Sequence, residues 1–391
     1  MLCFMARDQS LHQETLVNAT DIQWIDSSAA LNDLLRRAAS HPWLAVDTEF
    51  VREKTYYPQA GLIQIATATE IACIDPLAFD QLDPLFALLS NPNVVKVFHA
   101  AGQDLELLGC LGDQPVRPLF DTQIALQLLG QGDQLSYAAL VEGQTGIQLS
   151  KSQTRTNWLK RPISKEQLQY AADDVRYLGA IYESLANELK QRGRLDWMWE
   201  ITESLGSKSD QDIDADRLLN RLKGQQELHG VQRAIARELL SWRETTARER
   251  NLPRRWILGD ELIVQIAMAD ISRDTDLNRI SGLKPALITR HGNAILRAIE
   301  RGKTLAPAQW PQEPVNQRPS PETLRRYKAL RKIVTDIATR ANISPSLIAT
   351  RKDLEALAED PQADSPILHG WRYQLAGKPL CDFLERHPLE A

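Results

Sequence analysis

The chain has 391 residues, 43% of them hydrophobic and 25% charged, a length that implies two or three domains and a composition that excludes a disordered or fibrous protein. No run of 18 apolar residues occurs, and the opening Met1-Leu-Cys-Phe-Met5 lacks the basic flank and apolar length of a signal peptide, so a cytoplasmic protein without membrane contact is expected. The formal charge of −5 is uneven, with 27 acidic and 17 basic side chains in residues 1–210 against 24 and 29 in residues 211–391; this is the balance of a carboxylate-rich catalytic part joined to a polyanion-binding part, or of ordinary solvated surface.

Residues 1–20 form an extension whose role the sequence does not reveal. From Trp43 to His99 short apolar runs rich in β-branched residues predict strands: Trp43 to Asp47, Leu62 to Ala66, Ile71 to Ile74 and Val94 to Phe98. From Ala101 to Leu111, Asp121 to Leu129 and Ser164 to about Leu189 the apolar spacing changes to three and four, which predicts helices. The first part is therefore mixed α/β. Beyond about Asp210 only helical spacing remains, so a boundary is expected in the polar stretch around 205–215. Four scattered cysteines, Cys3, Cys73, Cys110 and Cys381, form no C-x-x-C pair, and neither disulfides nor structural zinc is expected.

The helical tail repeats itself. Ala247-Arg-Glu-Arg-Asn-Leu252 returns 91 positions later as Ala338-Thr-Arg-Ala-Asn-Ile343, and the same offset carries Ile257 to Ile348, Ile263 to Leu354 and Ile266 to Leu357. Between the copies, Pro307, Pro311, Pro314, Pro319 and Pro321 predict an extended linker.

Five side chains stand out as carriers of chemistry. In Val46-Asp47-Thr48-Glu49-Phe50 the two acids lie two residues apart on a strand, so period-2 alternation aims both at one face. Convergent carboxylates suit a hard divalent cation, and equally a solvated strand end. Phe98-His99 leads into Asp104 at a helix start, where an acid serves as cap or as ligand. Tyr170 and Asp174 lie four apart and share a helix face. On that helix Asp174 falls at the border of the apolar stripe, whereas Asp173 falls on the opposite, solvent side.

Asp47-Thr-Glu49, then Asp104, then Tyr170-x-x-x-Asp174 resemble the three motifs of the DEDDy exonucleases. Arg155-Thr-Asn-Trp-Leu-Lys-Arg-Pro162 and Tyr170-Ala-Ala-Asp-Asp-Val-Arg-Tyr-Leu178 are similar to strings of the ribonuclease D family. The tail resembles two copies of the helicase and RNase D C-terminal (HRDC) domain, through Leu240-Ser-Trp-Arg243 with Arg250-Asn-Leu-Pro253, and through Gly370-Trp-Arg372. The resemblance implies an α/β ribonuclease-H-like exonuclease domain over 21–210, a first all-α HRDC domain over 211–304, a Pro-rich linker over 305–321 and a second HRDC-like domain over 322–391. It implies 3′→5′ exoribonuclease activity releasing nucleoside 5′-monophosphates, with transfer-RNA precursors bearing 3′ extensions as substrate and no obligate protein partner. A DNA 3′→5′ exonuclease and a catalytically silent RNA-binding protein are the alternatives.

Hydrolysis of a phosphodiester by two Mg²⁺ or Mn²⁺ ions, about 3.5–4 Å apart, is the chemistry implied. By resemblance Asp47 would bridge both ions, Glu49 and Asp174 would complete one site, Asp104 would support the other, and Tyr170 would orient the attacking water. The resemblance also places Phe50, Gln64 and His99 at the terminal-nucleotide pocket, His99 reading equally as a core histidine. Lys151, Arg155, Lys160, Arg161 and Lys165, interleaved with Trp158, read as phosphate contacts and a base-stacking ring, or as a solvated loop with a packed Trp158. In the tail Arg243, Arg248, Arg250, Arg254 and Arg255, and Arg325, Arg326, Lys328, Arg331 and Lys332, suit either phosphate-backbone or protein contact.

Overall fold

A computed structural model describes residues 21–150, 153, 156–206, 213–312 and 320–388. The extension 1–20, Lys151, Arg155, part of the expected boundary and the middle of the Pro-rich linker lie outside the described residues.

Six strands form one sheet: β1 (Ile22–Ile25), β2 (Trp43–Val51), β3 (Gln59–Ala66), β4 (Ile71–Ile74), β5 (Val95–Phe98) and β6 (Leu119–Asp121). Their order is β1-β4-β3-β2-β5-β6, with β2–β3 and β3–β4 antiparallel and the outer pairs parallel. Alternation decides the two faces. Leu44, Val46, Ile63, Ile65, Ala72 and Ile74 bury one against α1 (Ser28–Ala38), α2 (Asp83–Leu89) and α3 (Gly102–Leu111). The other face carries Trp43, Ala45, Ala66, Ile71 and Val97, beneath α4 (Thr122–Leu129), α5 (Tyr137–Thr145), α6 (Lys165–Arg176), α7 (Leu178–Gln191) and α8 (Leu195–Gly206). Strands β1 and β6, each of three or four residues, are too short to leave a readable alternation in the sequence.

The helix expected from Ser164 to about Leu189 is not continuous. It breaks at Tyr177 (φ −100°, ψ −11°) into α6 and α7. A capping box opens α6, in which the Ser164 hydroxyl accepts from the Gln167 amide at 3.2 Å and the Gln167 side chain accepts from the Ser164 amide at 2.9 Å.

The chain divides into two compact units. One gathers the described residues of Met1–Val51, Gln59–Ser209 and Pro319–Ala391, the other those of Arg52–Pro58 and Asp210–Arg318. This departs from the expectation of a separate domain over 322–391. The helices α15 (Pro321–Ala341), α16 (Pro345–Ile348), α17 (Arg351–Glu359), α18 (Gly370–Arg372) and α19 (Lys378–Arg386) share one apolar core with the nuclease sheet, into which Leu330, Val334, Ile337, Trp371 and Leu380 are buried. Polar contacts complete that junction: Ser344 N–H donates to the Gln127 carbonyl (3.0 Å), Asn342 Nδ2 to Leu129 (3.2 Å) and Arg194 to Leu128 (2.6 Å) and to Ala341. Trp197 and Trp371 stack at 4.7 Å. A linker sequence tells where a chain can extend, not whether the module behind it returns to bury apolar area.

The second unit holds α9 (Ala215–Arg221), α10 (Val231–Glu249), α11 (Arg254–Ile257), α12 (Asp260–Met268), α13 (Asp274–Leu277) and α14 (Pro285–Thr304) around its own core of Leu239, Leu240, Ile263, Ile266, Ile295 and Ile299. Helix starts repeat between the modules: α11 and α16 begin 91 positions apart, as do α12 and α17.

Candidate active site

Strand β2 pairs with β5 only from Trp43 to Ala45, but with β3 along to Val51. Beyond Ala45 the β5 side of β2 is therefore open, because β5 ends at Phe98 and the chain turns away at Ala100. Asp47 and Glu49 emerge where that neighbour is missing, inside β2 rather than at its end as the sequence suggested. Alternation sends both to the face that α6 covers.

The turn into α3 is held by a carboxylate that carried no motif. Asp121 accepts from the amides of Ala100 and Ala101 at 3.0 and 2.9 Å, fixing Ala100 in the left-handed region at φ 59°, which a β-carbon makes costly. This anchors the first turn of α3, where buried Asp104 accepts the Thr48 hydroxyl at 2.5 Å. Since Thr48 lies between Asp47 and Glu49, the third acid is tied to the strand that bears the first two.

Asp174 comes from α6. Asp47, Glu49 and Asp174 each present a carboxylate oxygen, and these oxygens lie within 4.8 Å of one another. Asp173 turns away, its carboxylate accepting from Arg176 Nε at 2.8 Å and Gln169 Nε2 at 2.9 Å. Burial, then repulsion from Asp104, Asp174 and Glu49, holds the Asp47 carboxyl well above the usual range. Burial and the charges of Asp174 and Asp104 push Glu49 up to about 8. Asp174 is raised to about 7 by burial with Asp173 and Asp104, and Asp104 to about 6 by burial, against the Thr48 hydrogen bond. Asp104 is buried and Asp47, Glu49 and Asp174 are half-buried, and no ion pair to any of the four is formed among the described residues. That donor set fits a hard divalent cation with oxygen ligands.

Tyr170, one turn before Asp174, lines an open cleft of about 470 Å³ with Leu149, Ser150, Lys165, Glu166, Gln169, Asp173 and Asp174. Its ring leans on Trp158, 6.1 Å between centroids. Trp158 itself is 2% exposed among Leu62, Cys73 and Ala171, and a β-carbon at Gly61 would sit 2.6 Å from its Cβ. The base-stacking expectation for Trp158 is thus corrected, since neither ring face is open to a nucleotide. Arg161 is likewise a structural clamp, donating to the Asp75 carboxylate (2.8 and 2.5 Å) and to the carbonyls of Gly61 (2.7 Å) and Trp158 (2.8 Å).

Gln64 stands opposite Asp47 in the β2–β3 register, is fully buried, and has no partner for either amide atom among the described residues. His99 Nε2 bonds the Leu135 carbonyl and Nδ1 lies against the Thr122 hydroxyl, both at 2.9 Å. Both ring nitrogens are engaged by the fold, and the ring itself is half-buried. Phe50 is half-buried at the bulge where the β2–β3 register shifts.

The basic stripes are also thinner than their composition suggests. Arg243 is buried and donates to Asp260 at 2.5 Å, and Arg254 grips Glu244 with two bonds of 2.6 Å. Arg326 is 4% exposed. Arg250, Arg255, Arg325, Lys328 and Arg331 remain exposed.

Comparison with known proteins follows the same division. A family model described as 3′-5′ exonuclease matches residues 22–190, and one for the HRDC domain matches residues 232–299. The chain is 36% identical over 375 residues to ribonuclease D of Pseudomonas paraeruginosa, covering 94% of this chain and 99% of that protein. It is also 36% identical over 368 residues to ribonuclease D of Sphingobium indicum, covering 92% and 94%. The crystal structure of Escherichia coli RNase D, an exoribonuclease involved in structured RNA processing, superposes with a TM-score of 0.85 at 31% identity, over 94% of this chain and all of that one. With an exonuclease sheet bearing clustered carboxylates and an HRDC module following it in sequence, the chain belongs to the ribonuclease D family and is a 3′→5′ exoribonuclease.

Proposed function

We propose that the chain trims the 3′ ends of transfer-RNA precursors, using two Mg²⁺ or Mn²⁺ ions held by Asp47, Glu49, Asp104 and Asp174. The observation that carries the reading is the approach of the Asp47, Glu49 and Asp174 oxygens to within 4.8 Å of one another in a half-buried setting, where like charges repel unless a cation or proton lies between them. Divalent ions bound there would supply an activated water and stabilisation of the charge on phosphate and leaving oxygen. Asp47, which approaches both Glu49 and Asp174, would be a ligand common to the ions. Glu49 and Asp174 would help hold one ion, and Asp104, oriented by Thr48, would help hold the other. Tyr170, held against Trp158 on the cleft wall, orients the water that attacks the terminal phosphodiester, because a phenol with a pKa near 10 serves at neutral pH as a positioner rather than as a base. The leaving group is the 3′ oxygen of the preceding nucleotide, and a nucleoside 5′-monophosphate departs.

Residues 322–391 are read as a diverged second HRDC module, supported by the 91-residue spacing of helix starts. No described helix is long and apolar enough to cross a membrane, and a cytoplasmic location suits an RNA-trimming enzyme. The test is incubation of the protein with 3′- and 5′-labelled RNA and DNA oligomers, with and without Mg²⁺. The expected result is Mg²⁺-dependent release of mononucleotides from RNA 3′ ends, abolished by Asp47→Asn with folding retained. Turnover of Asp47→Asn within about tenfold of wild type, a loss far smaller than a shared ligand should cause, would contradict the two-ion assignment.

A further inference from the structure

The break between α6 and α7 has no proline to explain it. Gly179 follows the break, but its missing side chain serves another contact, since a β-carbon there would lie 2.0 Å from the Trp43 ring. In an unbroken helix the Tyr177 amide would bond to the Asp173 carbonyl, four residues back. Here that carbonyl accepts from the Tyr137 hydroxyl at 3.1 Å, and the Tyr177 amide faces the same phenol oxygen. A side-chain hydroxyl has entered the backbone ladder, which is one of the few recognised causes of a sharp helix kink.

Tyr137 is well placed to act as a fixed wedge. It is the first residue of α5, whose N-cap Ser136 accepts from the Ala139 amide. Its ring packs on His99 at 5.7 Å, and His99 is held by Thr122 and Leu135. Burial, and then the negative charges of Asp174 and Asp47, raise the phenol's pKa, so the hydroxyl stays protonated and able to donate. The carbonyl it grips belongs to the residue immediately before Asp174.

We propose that Tyr137 is a positioning residue of the exonuclease site, its hydroxyl holding the α6–α7 kink that aims Asp174 at Asp47 and Glu49. The inference rests on the reading of Asp174 as a metal ligand. Without the hydroxyl the Tyr177 amide and Asp173 carbonyl are free to close the ladder, straightening the helix and swinging Asp174 away from β2. A misplacement of about 1 Å in catalytic geometry costs up to about a hundredfold in rate.

The experiment compares Tyr137→Phe, which keeps the ring against His99, with Asp174→Asn in the full chain. Tyr137→Phe is expected to lower kcat about ten- to hundredfold and to raise the Mg²⁺ concentration for half-maximal activity severalfold, with KM for RNA and Tm nearly unchanged. Excess Mg²⁺ recovers part of the rate, and hydrogen exchange across residues 173–178 slows as the ladder closes. An inactive Asp174→Asn beside a Tyr137→Phe enzyme of normal rate and Mg²⁺ dependence overturns the wedge and leaves the site reading standing. An active Asp174→Asn overturns the site reading instead. A Tyr137→Phe loss that accompanies a fall in Tm and is indifferent to Mg²⁺ also overturns the proposal, because the phenol would then serve packing alone.

Discussion

Stripping divalent ions from the protein should make its stability fall as pH rises, the reverse of what isolated carboxylates do. Glu49 moves from 4.5 to about 8, Asp174 from 3.8 to about 7 and Asp104 from 3.8 to about 6 on folding, with burial the first cause of each. Between about pH 4.5 and pH 8 the folded chain therefore holds more protons than the unfolded one, and unfolding free energy declines across that window. A carboxyl raised by as much as Glu49 carries about 5 kcal/mol of protonation-linked stability, fully present below its unfolded pKa and lost as pH passes its folded one. The acids titrate as one coupled cluster, so their shifts do not add as independent terms. For a unit of this size that corresponds to a fall in Tm of about 10 °C or more. Mg²⁺ should oppose the fall, because its ligands must be deprotonated and its affinity grows with pH. The assay is a set of melting curves from about pH 5 to about pH 8.5 in EDTA and in saturating Mg²⁺, reading the difference between the two series. Half-buried His99 and buried His291, whose pKa values desolvation lowers, act in the opposite sense but equally in both series. A difference that widens with pH and shrinks in Asp47→Asn is expected. Parallel curves would refute the reasoning, since they would mean that the four acids neither repel one another nor share a cation.

Three further outcomes can be checked directly. Asp174→Asn should cost several hundredfold or more in turnover at saturating Mg²⁺, whereas Asp173→Asn, which loses only the bonds to Arg176 and Gln169, should cost little; a severe Asp173→Asn defect beside an active Asp174→Asn would reverse the assignment. Trp158→Ala should destabilise by about 3–5 kcal/mol, as removal of a buried aromatic does, and a weakened KM for RNA with unchanged Tm would return Trp158 to a substrate role. A chain ended near residue 210 should lose Leu330, Val334, Ile337 and Trp371 from the shared core and melt far below the full chain or aggregate; a soluble fragment of undiminished Tm would show that the sheet does not depend on this module.

Much of the chemistry was legible in residue order alone. Period-2 alternation aimed Asp47 and Glu49 at one face, and helical phase separated Asp174 from Asp173, because both depend only on local backbone geometry. The strands around Ile63 and Ile71 and the 91-residue repeat were equally visible, being patterns written along the chain. What residue type could not tell was whether a charge or ring would be free. Trp158, Arg161, Arg243 and Arg254 look like ligands for RNA in one dimension, yet each is engaged by a partner on another element, such as Asp75 for Arg161 and Glu244 for Arg254.

Tertiary structure alone decided three things: that residues beyond Pro319 bury their apolar face in the nuclease core, that Asp121 fixes the turn before Asp104, and that Tyr137 enters the ladder at Asp173. Each is a contact between segments separated by 17 or more positions, made by a hydroxyl, a carboxylate or an apolar surface of common type. Such contacts leave no local period or propensity in the sequence, because their energy comes from where the fold brings the two partners rather than from what either does to its own neighbours.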